Sequence, residues 1–386
     1  MTAALPRRLA RRRGSLSEAS SPAALTGATV RGYTCGMVRP ARPRSRGVAL
    51  VATLATAAAL LSFSLSRRAD AAEELRVGTL APRASVWGRT LGAWSAAVQQ
   101  ESGGQLKVSL YYGGSQGDEG ELATKVKDHT LDGAALGGAG LAAFAPDVAA
   151  LELPLVFDGW PKLDRARNAV RPLLAESFAK AGVRLLAEAE TGVVRVFSRG
   201  APVRTPRDLA ALHPFVRSDD VVGRELFAAA GLRPPSLTVA EVFAALLPGS
   251  ASPDAGVPRR VDVLFASALV VTELRWADLL DHVTPELTAY GIGGIVLSAA
   301  RFEGLPPEAR AILRRTAEGT TALLAQRVRS ADARALATLR GEKKVVDLTP
   351  AERAEWDTLA RASRTRLRAG TVRPEVIDRV LAAAGP

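Results

Sequence analysis

The chain has almost no cysteine. Cys35 stands alone in 386 residues, within an N-terminal part that an export signal would remove. Disulfides and thiolate metal sites are thereby excluded from the body of the protein. Histidine is nearly as scarce. His129, His213 and His282 lie far apart with no H-x-x-x-H spacing, so a zinc site has no support. There is no G-x-x-x-x-G-K-S/T loop, the usual cradle for nucleotide phosphates. Lysine is missing from the first 71 residues, which hold 12 arginines and only two acids, Glu18 and Asp70.

That asymmetry explains the formal net charge of +12. Of the 51 basic and 39 acidic residues, 12 and 2 precede Ala72, leaving 39 basic against 37 acidic beyond it. A near-neutral body implies no basic patch and no nucleic-acid partner. The N-terminal arginines belong instead to a targeting pattern. Arg39, Arg42, Arg44 and Arg46 precede the uncharged run Val48 to Leu65, and Ala69-Asp70-Ala71 follows as a small-x-small site. This is the layout of a signal peptide cut before Ala72, and it predicts a soluble periplasmic protein. An uncleaved anchor is the alternative, because the run is long enough to span a bilayer. No cysteine follows it to carry a lipid, and either Met1 or Met37 serves as the start.

From Ala72 onward, strand and helix patterns alternate. ELRVGTL, LKVSLYY, TLDGAAL, ALELPLVF, VRLLAEAE, GVVRVFSR, HPFVRS, VDVLFAS and LTAYGIGGIVLS read as strands. Helical stretches lie between them, including one from Trp160 to Ala181 and TPRDLAAL, with Thr205 as N-cap and Pro206 in its first turn. The alternation predicts an α/β fold with parallel sheets. A helix of unusual length, 306–341, and two further helices close the chain.

One motif points elsewhere. Gly113-Gly114-Ser115-Gln116-Gly117 spells the G-x-S-x-G nucleophile elbow of serine hydrolases, between a strand and a helix. A triad would need His213 or His282. The elbow also comes too early for a hydrolase sheet, and no HGGG-type segment precedes it. Glycines that turn a strand into a helix account for the motif with no catalytic role for Ser115. His129, three residues after Val126, reads as a partly buried histidine on the apolar side of that helix.

The order of motifs resembles the substrate-binding proteins of tripartite ATP-independent periplasmic (TRAP) transporters, of the dicarboxylate-binding type. LRVGTLAPRASVWGRTL, ESGGQLKVSLYYGGSQGDEGEL, FAPDVAALELPLVF, SRGAPVRTPRDLAAL, AAAGLRPPSLTVAEVFAALLPG and LTAYGIGGIVLSAARFEGLPPEARAIL carry the resemblance in sequence order. It implies a two-domain periplasmic-binding (Venus flytrap) fold with a long brace helix and a helical C-terminal tail. The boundaries expected are 1–71 for the extension and signal, 72–196 with 285–325 for the first domain, and 197–284 for the second. The helix 306–341 would connect them, and 342–386 would form the tail. The resemblance further implies no enzyme activity and no cofactor. A small solute, normally a carboxylate, would bind between the domains of a monomer and pass to membrane permease subunits; a receptor-like envelope protein that no longer transports, acting as a sensor or interaction partner, is the alternative.

The family's anchor is an arginine on the strand after T-P-x-D-L-x-x-L. Here Phe215 occupies that place and Arg217 follows two residues later, on the same strand face. Either Arg217 grips the carboxylate from its shifted position, or Phe215 and Trp276 make an aromatic cleft for a less acidic solute. Arg195 stands near a second family arginine, with the register open by one residue, as ligand contact or surface residue. Trp87 and Trp276 each read as cleft lining or as ordinary packing. Glu241 reads as fixing the arrangement of the domains, and Ala266-Ser267 replace a family Asn-Pro.

Overall fold

The computed structural model describes residues 72–247 and 260–385. Cys35, the export segment and most of the loop before Val261 lie outside the described residues. The chain begins β1 (Glu73–Thr79), α1 (Val86–Glu101), β2 (Leu106–Tyr111), α2 (Glu119–Lys127), β3 (Gly133–Gly137) and α3 (Gly138–Ala142). A 3-10 turn over Pro146–Glu152 leads to α4 (Trp160–Lys180) and β4 (Val183–Ser198). The middle holds α5 (Asp208–Ala211), β5 (Val216–Arg217), α6 (Val221–Ala229), β6 (Ser236–Leu237), α7 (Val239–Leu246), β7 (Val263–Ser267) and α8 (Ala268–Glu273). Then come β8 (His282–Ser298), α9 (Ala299–Glu303), α10 (Pro307–Glu342), β9 (Lys344–Val345), α11 (Pro350–Gly370) and α12 (Pro374–Ala384).

The main sheet runs β2-β1-β3-β8-β4-β7, with β9 beside β8. Its β2-β1-β3 part is parallel, as the alternation of strand and helix predicts, but the pairs β3–β8, β8–β4 and β4–β7 are antiparallel. The reason is that β4 carries the chain out of one half of the molecule and β8 brings it back. VRLLAEAE and GVVRVFSR are therefore one crossing strand of 16 residues, and β8 has 17. Their ladder breaks register between Leu185 and Ala187, Glu190 and Gly192, and Val194 and Val196. Such bulges bend a strand; the first lies within the first half, and the other two precede the passage into the second. ALELPLVF is not a strand. Its first residues form the 3-10 turn, and Leu155 sits at a left-handed φ of 58°, which ends any extended run.

The core divides accordingly. Leu75, Val77, Trp94 and Val98 fill one face of the first half, and Leu122, Leu163, Val170 and Val296 the other. Phe197, Val242, Leu264 and Val283 fill the second half, with Leu209, Phe227 and Val263 behind them. The 36-residue helix α10 serves both. Leu313 and Ala317 pack in the first half and Leu339 in the second. Trp94 is fully buried, and its indole donates to Thr316 Oγ1 of α10 at 3.2 Å. That contact gives the one polar atom of a large buried ring its partner. No described helix is long and apolar enough to cross a membrane.

Candidate functional site

The glycine-rich turn at the front of α2 builds the first wall of the site. Gly113, Gly114 and Gly117 have φ of 65°, 71° and 102°, conformations that cost a side-chain-bearing residue strain. They swing the chain so that Asp118 caps α2, with Glu121 returning the bond in a capping box. Glu119 is then forced inward and is only 5% exposed. Its Oε1 accepts from the Gly137 N–H at 2.6 Å and its Oε2 from the Gly140 N–H at 2.9 Å.

Arg217 approaches the same carboxylate from β5, in the other half of the molecule. Its Nη2 donates to Glu119 Oε2 at 3.2 Å, and its Nε and Nη2 both donate to Asp219 Oδ1 at 3.3 Å. Burial pulls its proton affinity down. The carboxylates of Glu119, Asp219, Asp220 and Glu152 outweigh that and hold it well above the ordinary arginine value. Glu152, at the end of the 3-10 turn, accepts the Ile292 N–H on Oε1 at 3.0 Å. Burial, with Asp220 and Glu119 nearby, pushes its carboxyl up to about 8, against the pull of Ile292 and Arg217. Gly138 makes room for it: a Cβ there would come within 2.3 Å of the Glu152 carboxyl.

These groups line a cavity of about 300 Å³ between the halves. Its walls are mainly apolar. Trp87, Phe215, Arg217 and Trp276 all line it, so four of the five residues singled out from sequence converge. Trp87 is fixed by its indole N–H, which donates to the Glu190 carbonyl at 3.0 Å. Phe215 and Trp276 are also core residues of the second half, so for Trp276 the alternatives of lining and packing hold together. Ala266 and Ser267 line the wall too, with Ser267 Oγ spent on the Thr191 carbonyl and on capping α8.

Arg195 does not reach the cavity. Val194 lines it instead, and Arg195 turns to the opposite face of β4. There its Nη1 donates to Asp332 of α10 at 3.0 Å and to the Val193 carbonyl at 2.7 Å. A register difference of one residue exchanges the faces of a strand. The brace helix α10 takes part in a second ion cluster. Arg329 of α10 joins Glu190 and Asp164, and Arg167 adds weaker bonds to both. Asp332 and Arg329 thus tie the brace helix to the crossing strand.

Other readings need correcting. His129 is exposed, not on the apolar side of α2. It lies past the helix end at a φ of 64°, with Nδ1 3.3 Å from Ser298 Oγ. Glu241 forms a capping box with Thr238 at the start of α7 and does not join the two halves. Ser115, His213 and His282 are all outside the cavity wall, and His213 pairs with Asp262 at 2.6 Å. Glu119 and Glu152 escaped notice in the sequence. The available signal was the glycine series Gly137, Gly138, Gly140, whose missing side chains admit both carboxyls.

Three comparisons bear on this arrangement. Residues 77–253 match the model of the DctP family, bacterial extracellular solute-binding protein family 7. The chain is 25% identical over 253 residues to the 2,3-diketo-L-gulonate-binding periplasmic protein YiaO of Escherichia coli, covering 65% of this chain and 73% of that one. Its fold matches a sugar-acid-binding protein of Advenella mimigardefordensis in complex with galactonate, with a TM-score of 0.72, 18% identity, and coverage of 81% and 98% of the two chains. It matches equally a TRAP periplasmic solute-binding protein of Shewanella oneidensis with bound succinate, at a TM-score of 0.72, 18% identity, and coverage of 82% and 100%.

Proposed function

We propose, from the premise that this chain is a TRAP-type solute-binding protein, that it captures a small organic acid in the cavity between its halves. It then delivers that solute to membrane permease subunits. The observation that carries the reading is the convergence of Trp87, Phe215, Arg217 and Trp276 on one cavity of about 300 Å³, crossed by a charged pair from the two halves. A cavity of that size, mostly apolar with a few convergent polar groups, suits a small solute. Arg217 receives the carboxylate, and the aromatic residues cover the rest.

The halves behave as lobes that divide near residues 197 and 284 and close about the β4–β8 crossing. Closure of this kind needs contacts made only in the closed state. The Arg217–Glu119 pair at 3.2 Å is such a contact. The protein works as a monomer in the periplasm after cleavage before Ala72.

Native mass spectrometry on protein purified from the periplasm tests the reading. The expected result is a single-chain mass beginning at Ala72, plus a releasable organic acid of small mass. Protein recovered only from the cytoplasm, or one that neither carries nor gains any small acid, defeats it.

A further inference from the structure

The cavity carries an unusual charge for a receptor of acids. Glu119, Glu152, Glu190, Asp220 and Glu273 line it, and Arg217 is the one cationic residue among the described lining residues. Arg217 is also largely engaged. Its Nε and Nη2 are held by Glu119 and Asp219, which leaves Nη1 with no hydrogen bond among the described residues. One free N–H edge can meet one carboxylate oxygen or straddle it loosely. It cannot supply the paired fork by which arginine usually clamps an acid.

The acids differ in what they have left to give. Both oxygens of Glu119 are taken by Gly137, Gly140 and Arg217. Glu190 is spent on Arg329 and Arg167. Glu152 uses Oε1 for the Ile292 N–H, and its Oε2 accepts nothing from the described residues. Glu273 gives one oxygen to the Val86 N–H at the start of α1, and Asp220 gives one to the Gly223 N–H as the cap of α6, so each keeps a second oxygen with no bond to the described residues. Glu152 is the one of the three that holds no helix start. The cavity therefore offers one unfilled donor edge and unfilled carboxyl oxygens, the two ends of a dipole.

We propose that the solute is a zwitterion of the amino-acid class, its carboxylate on Arg217 Nη1 and its ammonium against Glu152. This rests on the receptor reading above and narrows it. A dicarboxylate would bring its second anionic group into a wall of carboxyls with no second cation. The apolar and aromatic walls, Phe215, Phe265 and Trp276 among them, suit an uncharged side chain.

The inference carries a proton signature. In the free protein, burial keeps the Glu152 carboxyl protonated up to about pH 8, with Asp220 and Glu119 raising it and Arg217 opposing. An ammonium docked against it favours the ionised form, so binding expels a proton. Affinity for an amine-bearing solute then rises as pH climbs from 6 to 8.5.

The test is calorimetric titration of the purified protein with matched pairs: L-leucine against (S)-2-hydroxy-4-methylpentanoate, and L-phenylalanine against 3-phenyllactate, with succinate alongside. The expected result is an amino acid preferred over its hydroxy acid by about tenfold or more, and over succinate by about 100-fold. Its affinity should increase with pH, with heats that vary with buffer ionisation as proton release requires. Glu152→Gln should shrink the amino-over-hydroxy ratio by about tenfold while the protein keeps its fold by circular dichroism. A hydroxy acid or succinate binding at least as well as the amino acid overturns the zwitterion and leaves the receptor standing. An unchanged ratio in Glu152→Gln removes Glu152 from the site and overturns the proposal as well. Failure of every compound, with no solute co-purifying, overturns both readings together.

Discussion

Two groups of charge flank the crossing strands, and they are finished to different degrees. Along α10, every carboxylate oxygen of Asp332 and Glu190 is engaged. Asp332 takes the Leu269 and Val193 N–H groups and Arg195, while Glu190 takes Arg329 and Arg167. Elsewhere on the cavity wall, Glu152 Oε2 and Arg217 Nη1 have no bond to the described residues. The first group has one atom without a partner, Arg195 Nε, and it is closed off inside the protein. The open atoms of Glu152 and Arg217 face a cavity instead, where a solute can complete their bonds.

Variants can break this contrast. The largest effect is expected for Asp332→Ala, which strands Arg195 and two backbone N–H groups in the interior. Loss of about 3–5 kcal/mol of folding stability is expected, read from urea denaturation. Affinity measured where the variant remains folded should barely change. The reverse is expected at the cavity. Arg217→Gln keeps a donor for Glu119, so stability should move by less than about 1 kcal/mol, while solute affinity falls by about 30- to 100-fold in a titration. If the two variants behave alike, the division between brace and site is wrong.

Glu152 sharpens the contrast through pH. Its folded-state value of about 8 exceeds the ordinary 4.5, so the native state holds a proton that the unfolded chain has released across that window. The native state is favoured fully below about pH 4.5, and this contribution is lost as pH rises through 8. Without solute, Glu152→Gln should therefore melt about 2 °C or more above the unaltered protein at pH 8.5, with the gap closing toward pH 5. Scanning calorimetry at the two pH values decides it. The smallest effect belongs to the start of α7. Glu241→Ala should cost about 1 kcal/mol by removing one side of the α7 capping box, with no change in affinity.

Much of the framework was legible from local pattern. Asp118 before an acidic helix start, the positive-φ glycines ahead of it and the length of α10 each have a mechanism that acts within a few residues. What local pattern could not give was direction. Nothing near Glu119 in sequence says that its side chain turns inward, since the donors that hold it lie at Gly137 and Gly140. Arg195 failed for a related reason. Alternation along β4 marks two faces, but which face meets the cavity is decided by its pairing with β7 and β8. Trp87 and Trp276 were easier, because large aromatic residues at element ends serve as lining and packing at once.

The last helix has a consequence in time as well as space. Val376, Ile377 and Val380 of α12 lie in the same core as Leu122 and Val148, more than 200 residues earlier, and Arg373 binds Asp147. A chain made from its N-terminus leaves that core open until α12 appears. The first half of the protein is therefore the last to be sealed, and it stays pliable until α12 docks.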